Sequence, residues 1–98
     1  MTEDRPARRS WTASVEERSA ATILAMPPDL AKQVTNFFAA LALEAGGALA
    51  VGRRPPGDLL DDSHNRYGLQ IPGESVLFEY ELHHDIREIR IPVIVWLG

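Results

Sequence analysis

The sequence predicts an α+β domain: a short N-terminal strand and a two-helix hairpin packed on a C-terminal antiparallel sheet. Three observations carry that prediction. Apolar residues recur at helical spacing up to about residue 45, the period changes to two from Tyr67 onward, and a breaker-rich stretch over 46–66 separates the two regimes. With 98 residues, 45% of them hydrophobic and 24% charged, the chain has material for one modest core and not for two. It contains no cysteine, which excludes a disulfide framework, a thiolate zinc site and a thiol nucleophile, so stability must come from packing.

The elements follow in order. Residues 1–10 hold two acids, three arginines and Pro6 before any apolar period begins, and read as a solvated tail preceding a single domain over 11–98. Trp11, Ala13 and Val15 alternate with Thr12 and Ser14 as a short strand does. Ser14 and Glu17 match a capping box, which places a helix start near 15–16, and Pro27 stops that helix because proline disfavours helical backbone in the residue ahead of it. Pro27-Pro28-Asp29 opens a second helix, with proline where the amide is unsatisfied anyway and an acid near the positive end of the dipole. Leu30, Val34, Phe37, Phe38 and Leu41 form its apolar stripe, and Gly46-Gly47 is expected to end it. A long loop then crosses to Arg66, carrying Gly52, Pro55-Pro56, Gly57 and Asp61-Asp62-Ser63.

Three strands complete the chain. Tyr67, Leu69 and Ile71 alternate with Gly68 and Gln70, and Pro72-Gly73-Glu74-Ser75 turns into Val76, Phe78, Tyr80 and Leu82 on one face with Leu77, Glu79, Glu81 and His83 on the other. After a turn over His83–Arg87, Ile89, Ile91, Val93, Val95 and Leu97 alternate with Glu88, Arg90, Pro92, Ile94 and Trp96. Matching the inward faces sets Leu82 opposite Ile89, Glu81 opposite Arg90 and Phe78 opposite Val93, a register in which the charges also pair. Pro92 removes a ladder donor, so the last strand lies at an edge or carries a bulge. In this register Ile94 and Trp96 face away from the helices, making the strand apolar on both sides. They are therefore the candidates for binding a protein partner, against the alternative that the N-terminal tail or Trp11 covers them.

The formal net charge is −4, and residues 74–98 carry five acids against two arginines, so nothing attracts nucleic acid in general. Met1-Thr2-Glu3-Asp4-Arg5 is not the apolar opening of a signal peptide, and no apolar run reaches the length of a membrane span. The expectation is a cytoplasmic protein without a membrane partner.

The order of elements resembles the RelE/ParE superfamily of toxins from type II toxin–antitoxin systems over most of residues 11–98. The resemblance rests on Trp11-Thr12-Ala13-Ser14-Val15 leading into Met26-Pro27-Pro28-Asp29-Leu30, similar to the family's first strand and proline-broken helical hairpin. It rests also on Asn65-Arg66-Tyr67-Gly68-Leu69-Gln70-Ile71, similar to a middle strand, and on Val76-Leu77-Phe78-Glu79-Tyr80 with Ile89-Arg90-Ile91, similar to the paired final strands. It implies a RelE-like fold, a cognate antitoxin as partner and, in ribosome-dependent members, cleavage of mRNA without metal or cofactor. Gly68, Gln70 and Ser75 stand where such members often carry arginine, and Val95-Trp96-Leu97-Gly98 supply none of the Arg, His or Tyr found near the end of active ones.

Cleaving RNA requires a base for the 2′-hydroxyl, an acid for the leaving oxygen and cations for the phosphorane, tasks suited to His, Tyr, Lys and Arg. The candidates for RNA contact are Arg53 and Arg54 in the loop, and Arg66 with Tyr67, where a guanidinium grips phosphate while a ring stacks on a base. The plainer alternatives are solvated loop arginines, and a core Tyr67 beside an Arg66 that bonds main-chain carbonyls. No catalytic residue is assigned. His83 and His84 are adjacent on extended backbone and point apart, Asp61-Asp62 with His64 reads equally as a solvated loop, and no metal is assigned. Glu79 and Glu81 project from the face where a nuclease of this fold would want positive charge. Two functions therefore stand beside the toxin reading: an inactive RelE-fold protein-binding module, and an unrelated small α+β interaction domain.

Overall fold

The computed structural model describes residues 10–98. Its elements are β1 (Thr12–Val15), α1 (Glu17–Leu24), α2 (Pro28–Ala50), β2 (Asp58–Asp61), a 3-10 turn (Asp62–His64), β3 (Arg66–Gln70), β4 (Val76–His83) and β5 (Glu88–Trp96). The sheet order is β1-β5-β4-β3-β2, with β1 parallel to β5 and every other pair antiparallel. The α+β class and the helical hairpin on a sheet are as the sequence predicts. Apart from Ser10, the expected tail lies outside the described residues. Among these, no helix is long and apolar enough to cross a membrane.

The core lies between α2 and the sheet. Val34, Phe38, Leu41, Ala42 and Ala45 of α2 are buried against Val76, Phe78, Tyr80 and Leu82 of β4 and Ile89, Ile91 and Ile94 of β5. Phe78 meets two α2 rings edge-on, Phe38 at 4.8 Å and Phe37 at 5.9 Å between centroids. Tyr80 stacks on Tyr67 at 5.6 Å, and its hydroxyl donates to the Pro56 carbonyl at 2.5 Å, which ties the segment after α2 to the sheet. Burial pushes the Tyr80 phenol well above its ordinary pKa.

Helix α2 does not stop at Gly46-Gly47. It runs on to Ala50 and ends where Gly52 adopts φ 75°, with Gly52 N–H donating to Leu49 O and Arg53 N–H to Ala48 O, the paired bonds of a Schellman motif. Gly46 serves packing instead: a Cβ there would lie 2.5 Å from Trp11 Cδ1, so its absence lets the indole lie against the helix. The long loop is correspondingly shorter and contains β2, a four-residue strand that pairs with β3 through an irregularity between Leu59 and Asp61. The Ser14 capping box does not form. Ser14 lies within β1 opposite Arg90, and Glu16 precedes α1 without a side-chain cap.

The β4–β5 register begins as expected, with Leu82 opposite Ile89 and Glu81 opposite Arg90, and then shifts between Glu79 and Glu81. Ile91 and Pro92 share the space opposite Tyr80, so Glu79 meets Val93 and Phe78 meets Ile94. The bulge is the alternative that Pro92 leaves to a strand with a neighbour on each side, as β5 has in β1 and β4. One extra residue exchanges the faces beyond it. Ile94 is therefore buried in the core and Trp96 packs against it, contrary to the outward placement expected of both, while Val93 and Val95 take the outer face.

Ser19 of α1 is fully buried, and its Oγ has no hydrogen-bond partner among the described residues. An unsatisfied buried hydroxyl costs about 1–3 kcal/mol, and alanine is also the better helix former. Ser19→Ala is expected to stabilise the protein by about 1–2 kcal/mol, read in thermal denaturation as a rise of at least ~4 °C. An unchanged or lower midpoint would show that the hydroxyl is satisfied in solution.

Candidate functional site

The face of the sheet turned away from α2 carries the polar chemistry. Alternation along β3 sends Tyr67 and Leu69 inward and Arg66, Gly68 and Gln70 outward, and on β4 it sends Leu77, Glu79, Glu81 and His83 outward. Register then sets Arg66 directly opposite Glu81, with Glu79 two residues along the same face. The Arg66 guanidinium is clamped between them. Nη1 donates to Glu79 Oε1 at 2.9 Å, Nε to Glu81 Oε2 at 3.2 Å, and Nη2 to the same Glu81 oxygen at 2.5 Å. Neighbouring charges pair as well: His83 Nε2 lies 3.4 Å from Glu81 Oε1, and Arg90 Nε donates to Glu88 Oε1 at 2.9 Å.

Glu81 feels opposed influences. Burial raises its pKa, but the hydrogen bond and charge of Arg66, followed by those of His83, outweigh burial and hold the carboxyl below the ordinary glutamate value of 4.5. The Glu81 hydrogen bond in turn raises Arg66 above its usual value. A carboxylate depressed by folding contributes stability above its unfolded pKa and loses it as pH falls through the folded one. Arg66→Met is accordingly expected to remove part of the stability at neutral pH and to flatten its decline below about pH 4.5. Chemical denaturation at pH 7 and pH 3 checks this. An undiminished acid slope in the variant would mean that the clamp adds nothing.

Beside the clamp lies a groove of about 340 Å³ that crosses the strands. Gly68 forms its floor, Leu60, Leu77 and Val95 its apolar walls, and Asp58 and Glu79 line it with charge. Leu60 leans over Gly68, where a Cβ would meet Leu60 Cδ1 at 3.0 Å.

The residues singled out from sequence are divided by this geometry. Arg66 and Tyr67 sit on opposite faces of the sheet: Arg66 is engaged by carboxylates, and Tyr67, 7% exposed, stacks in the core rather than offering a face to a base. Arg53 and Arg54 are exposed on the segment after α2 and line a separate hollow with Glu44 and Pro56. Ile94 and Trp96 belong to the inner face. His83 and His84 diverge where β4 passes into its turn, His83 toward Glu81 and His84 edge-on to Trp11 at 5.7 Å. The groove residues Asp58, Leu60, Leu77 and Val95 were not legible as a site. The available signal was Pro92, since a bulge there turns Val95 outward.

No protein-family model matches the chain, and no curated protein matches it in sequence. A solved structure does match in fold: a mutant of the E. coli toxin RelE in complex with a peptide of the antitoxin RelBc. The match covers 92% of this chain and 86% of that one, with a TM-score of 0.63 and 7% sequence identity. The fold is RelE-like.

Proposed function

We propose that this chain is the RelE-fold member of a type II toxin–antitoxin pair, and that it acts by binding protein, its antitoxin first, rather than by cutting RNA. The observation that carries this reading is the Arg66 clamp. A strand-borne guanidinium on the outer face is committed to two carboxylates, so the face offers phosphate acidic groups and a neutralised cation. Gly68 and Gln70, the outward neighbours of Arg66 on β3, add no charge, and the phenols of Tyr67 and Tyr80 are buried. The remaining charged groups of this face are committed as well, His83 to Glu81 and Arg90 to Glu88, so it offers no cationic cradle for the charge that 2′-hydroxyl attack develops. The antitoxin partner is supported by the fold match, whose RelE is bound to an antitoxin peptide.

The ribosome-dependent nuclease reading would rest on the exposed Arg53 and Arg54, with Arg66 released from its carboxylates, and would need neither metal nor cofactor. One experiment separates the two. The purified chain is added to ribosomes translating a reporter mRNA, and separately co-expressed with the product of whichever short reading frame adjoins its gene. Intact mRNA together with a stable complex is the expected result. Cleavage of the reporter that Arg53→Ala with Arg54→Ala abolishes would overturn the proposal in favour of a nuclease.

A further inference from the structure

We infer that the hollow at the start of β1 binds a free medium-chain carboxylate, its head group held by Arg87 and His84 and its alkyl tail laid past Trp11 between β1 and α2. The inference stands apart from the toxin–antitoxin reading and uses none of its residues.

Three observations converge. The first is the division of polarity between two hollows that share Ser10, Trp11 and Leu43 as a common border. One, of about 510 Å³, has Arg87 and His84 of the β4–β5 turn on one side and Gly46, Gly47 and Leu49 of α2 on the other, and no acid among the described residues lines it. The other, of about 420 Å³, continues between Ala13 and Val15 of β1 and Phe38 and Ala39 of α2. An anionic head complements the first, and an alkyl chain the second. His84 stands edge-on to Trp11 at 5.7 Å, so the cationic end and the indole adjoin. The second observation is the backbone of Arg87. It holds φ 52°, which favours glycine, while its N–H donates to His84 O and its carbonyl accepts from Thr12 N–H. Glycine would keep both bonds with less strain, so what the arginine adds is its side chain, which lines the hollow. Its five N–H groups can hold a ligand carboxylate alongside another partner. The third is Gly47, since a glycine inside a helix weakens it relative to alanine. The close approach of Trp11 accounts for Gly46, but nothing lies within 4 Å of a Cβ at Gly47. Its bareness leaves the floor of the hollow open.

The test is calorimetric titration of the full chain with decanoate, which is expected to show saturable binding. Decan-1-ol, the same tail without the charge, should bind at least about tenfold more weakly, and octanoate, shorter by two methylenes, about tenfold more weakly as well. Arg87→Gly removes the guanidinium and Gly47→Leu fills the floor, so each should weaken decanoate by about tenfold or more. Neither should lower the melting temperature, because each relieves a backbone cost. Arg18→Ala, which changes the net charge as Arg87→Gly does at an exposed position on α1, should leave binding unchanged. In a Trp96→Phe chain, which keeps Trp11 as its one tryptophan, indole fluorescence should change along the same binding curve. Undiminished binding to the Gly47→Leu chain, or decan-1-ol binding as tightly as decanoate, would overturn the inference. Equal effects of Arg18→Ala and Arg87→Gly would reduce the attraction to net charge, with the same consequence. So would a chain that self-associates in sedimentation and becomes monomeric on Leu43→Glu, which makes a second copy the occupant. A roughly tenfold gain in decanoate affinity on Glu3→Gln with Asp4→Asn would make the chain's own carboxylates the resident of the Arg87 end and overturn it too.

Discussion

Phe78→Ala is expected to destabilise the protein by about 3–5 kcal/mol, the largest single effect foreseen. The ring is 2% exposed and sits where α2 meets the sheet, in edge contact with both Phe37 and Phe38. Truncation removes the transfer energy of the ring and its contacts with Phe37, Phe38 and Tyr80, and leaves a cavity that α2 cannot collapse into, because Val34, Leu41 and Ala45 hold the same helix elsewhere along the core. A domain of this size has only about 5–15 kcal/mol in total, so the variant should melt at least ~12 °C lower. Phe78→Leu, which keeps most of the volume, should lose far less. Equal loss in the two variants would show that the rings are not what joins helix to sheet.

Gly57→Ala is expected to cost about 2–4 kcal/mol, although it adds one methyl group at an exposed position. Gly57 holds φ 102°, which side chains rarely adopt, and a Cβ there would stand 2.6 Å from the Gly68 carbonyl oxygen. The obstacle is main chain and cannot swing aside. Relief requires moving β2 away from β3, which would also disturb the wall of the groove at Leu60. Gly73 provides the control: its φ of 79° is similarly strained, but nothing lies within 4 Å of its Cβ position. Gly73→Ala should therefore cost only about 1 kcal/mol. Similar midpoints for the two variants would show that the close approach to Gly68 is absent in solution.

Local regularities made most of the fold readable. The α2 stripe from Leu30 to Leu41, the alternation from Val76 to Leu82 and the register that sets Glu81 opposite Arg90 each follow from periods of the chain itself, and the structure contains all three, although the two charges bond elsewhere, Arg90 to Glu88 and Glu81 to Arg66. What escaped is non-local. Gly46 looks like a helix stop until Trp11 is seen against it, and β2 is too short to show a period before β3 gives it a partner. A single bulged residue puts Ile94 and Trp96 on the face opposite to the one that simple alternation predicts.

The chain's own periodicity thus determined the class of fold, the helical hairpin and the carboxylates on the outer face, because spacing along the backbone alone decides which side chains share a side. Only the tertiary structure decided that Arg66 is held by Glu79 and Glu81, that Tyr67 is turned into the core, and that Leu60, Leu77 and Val95 meet over Gly68. Those relations join strands distant in sequence, and one extra residue opposite Tyr80 is enough to exchange every face beyond it.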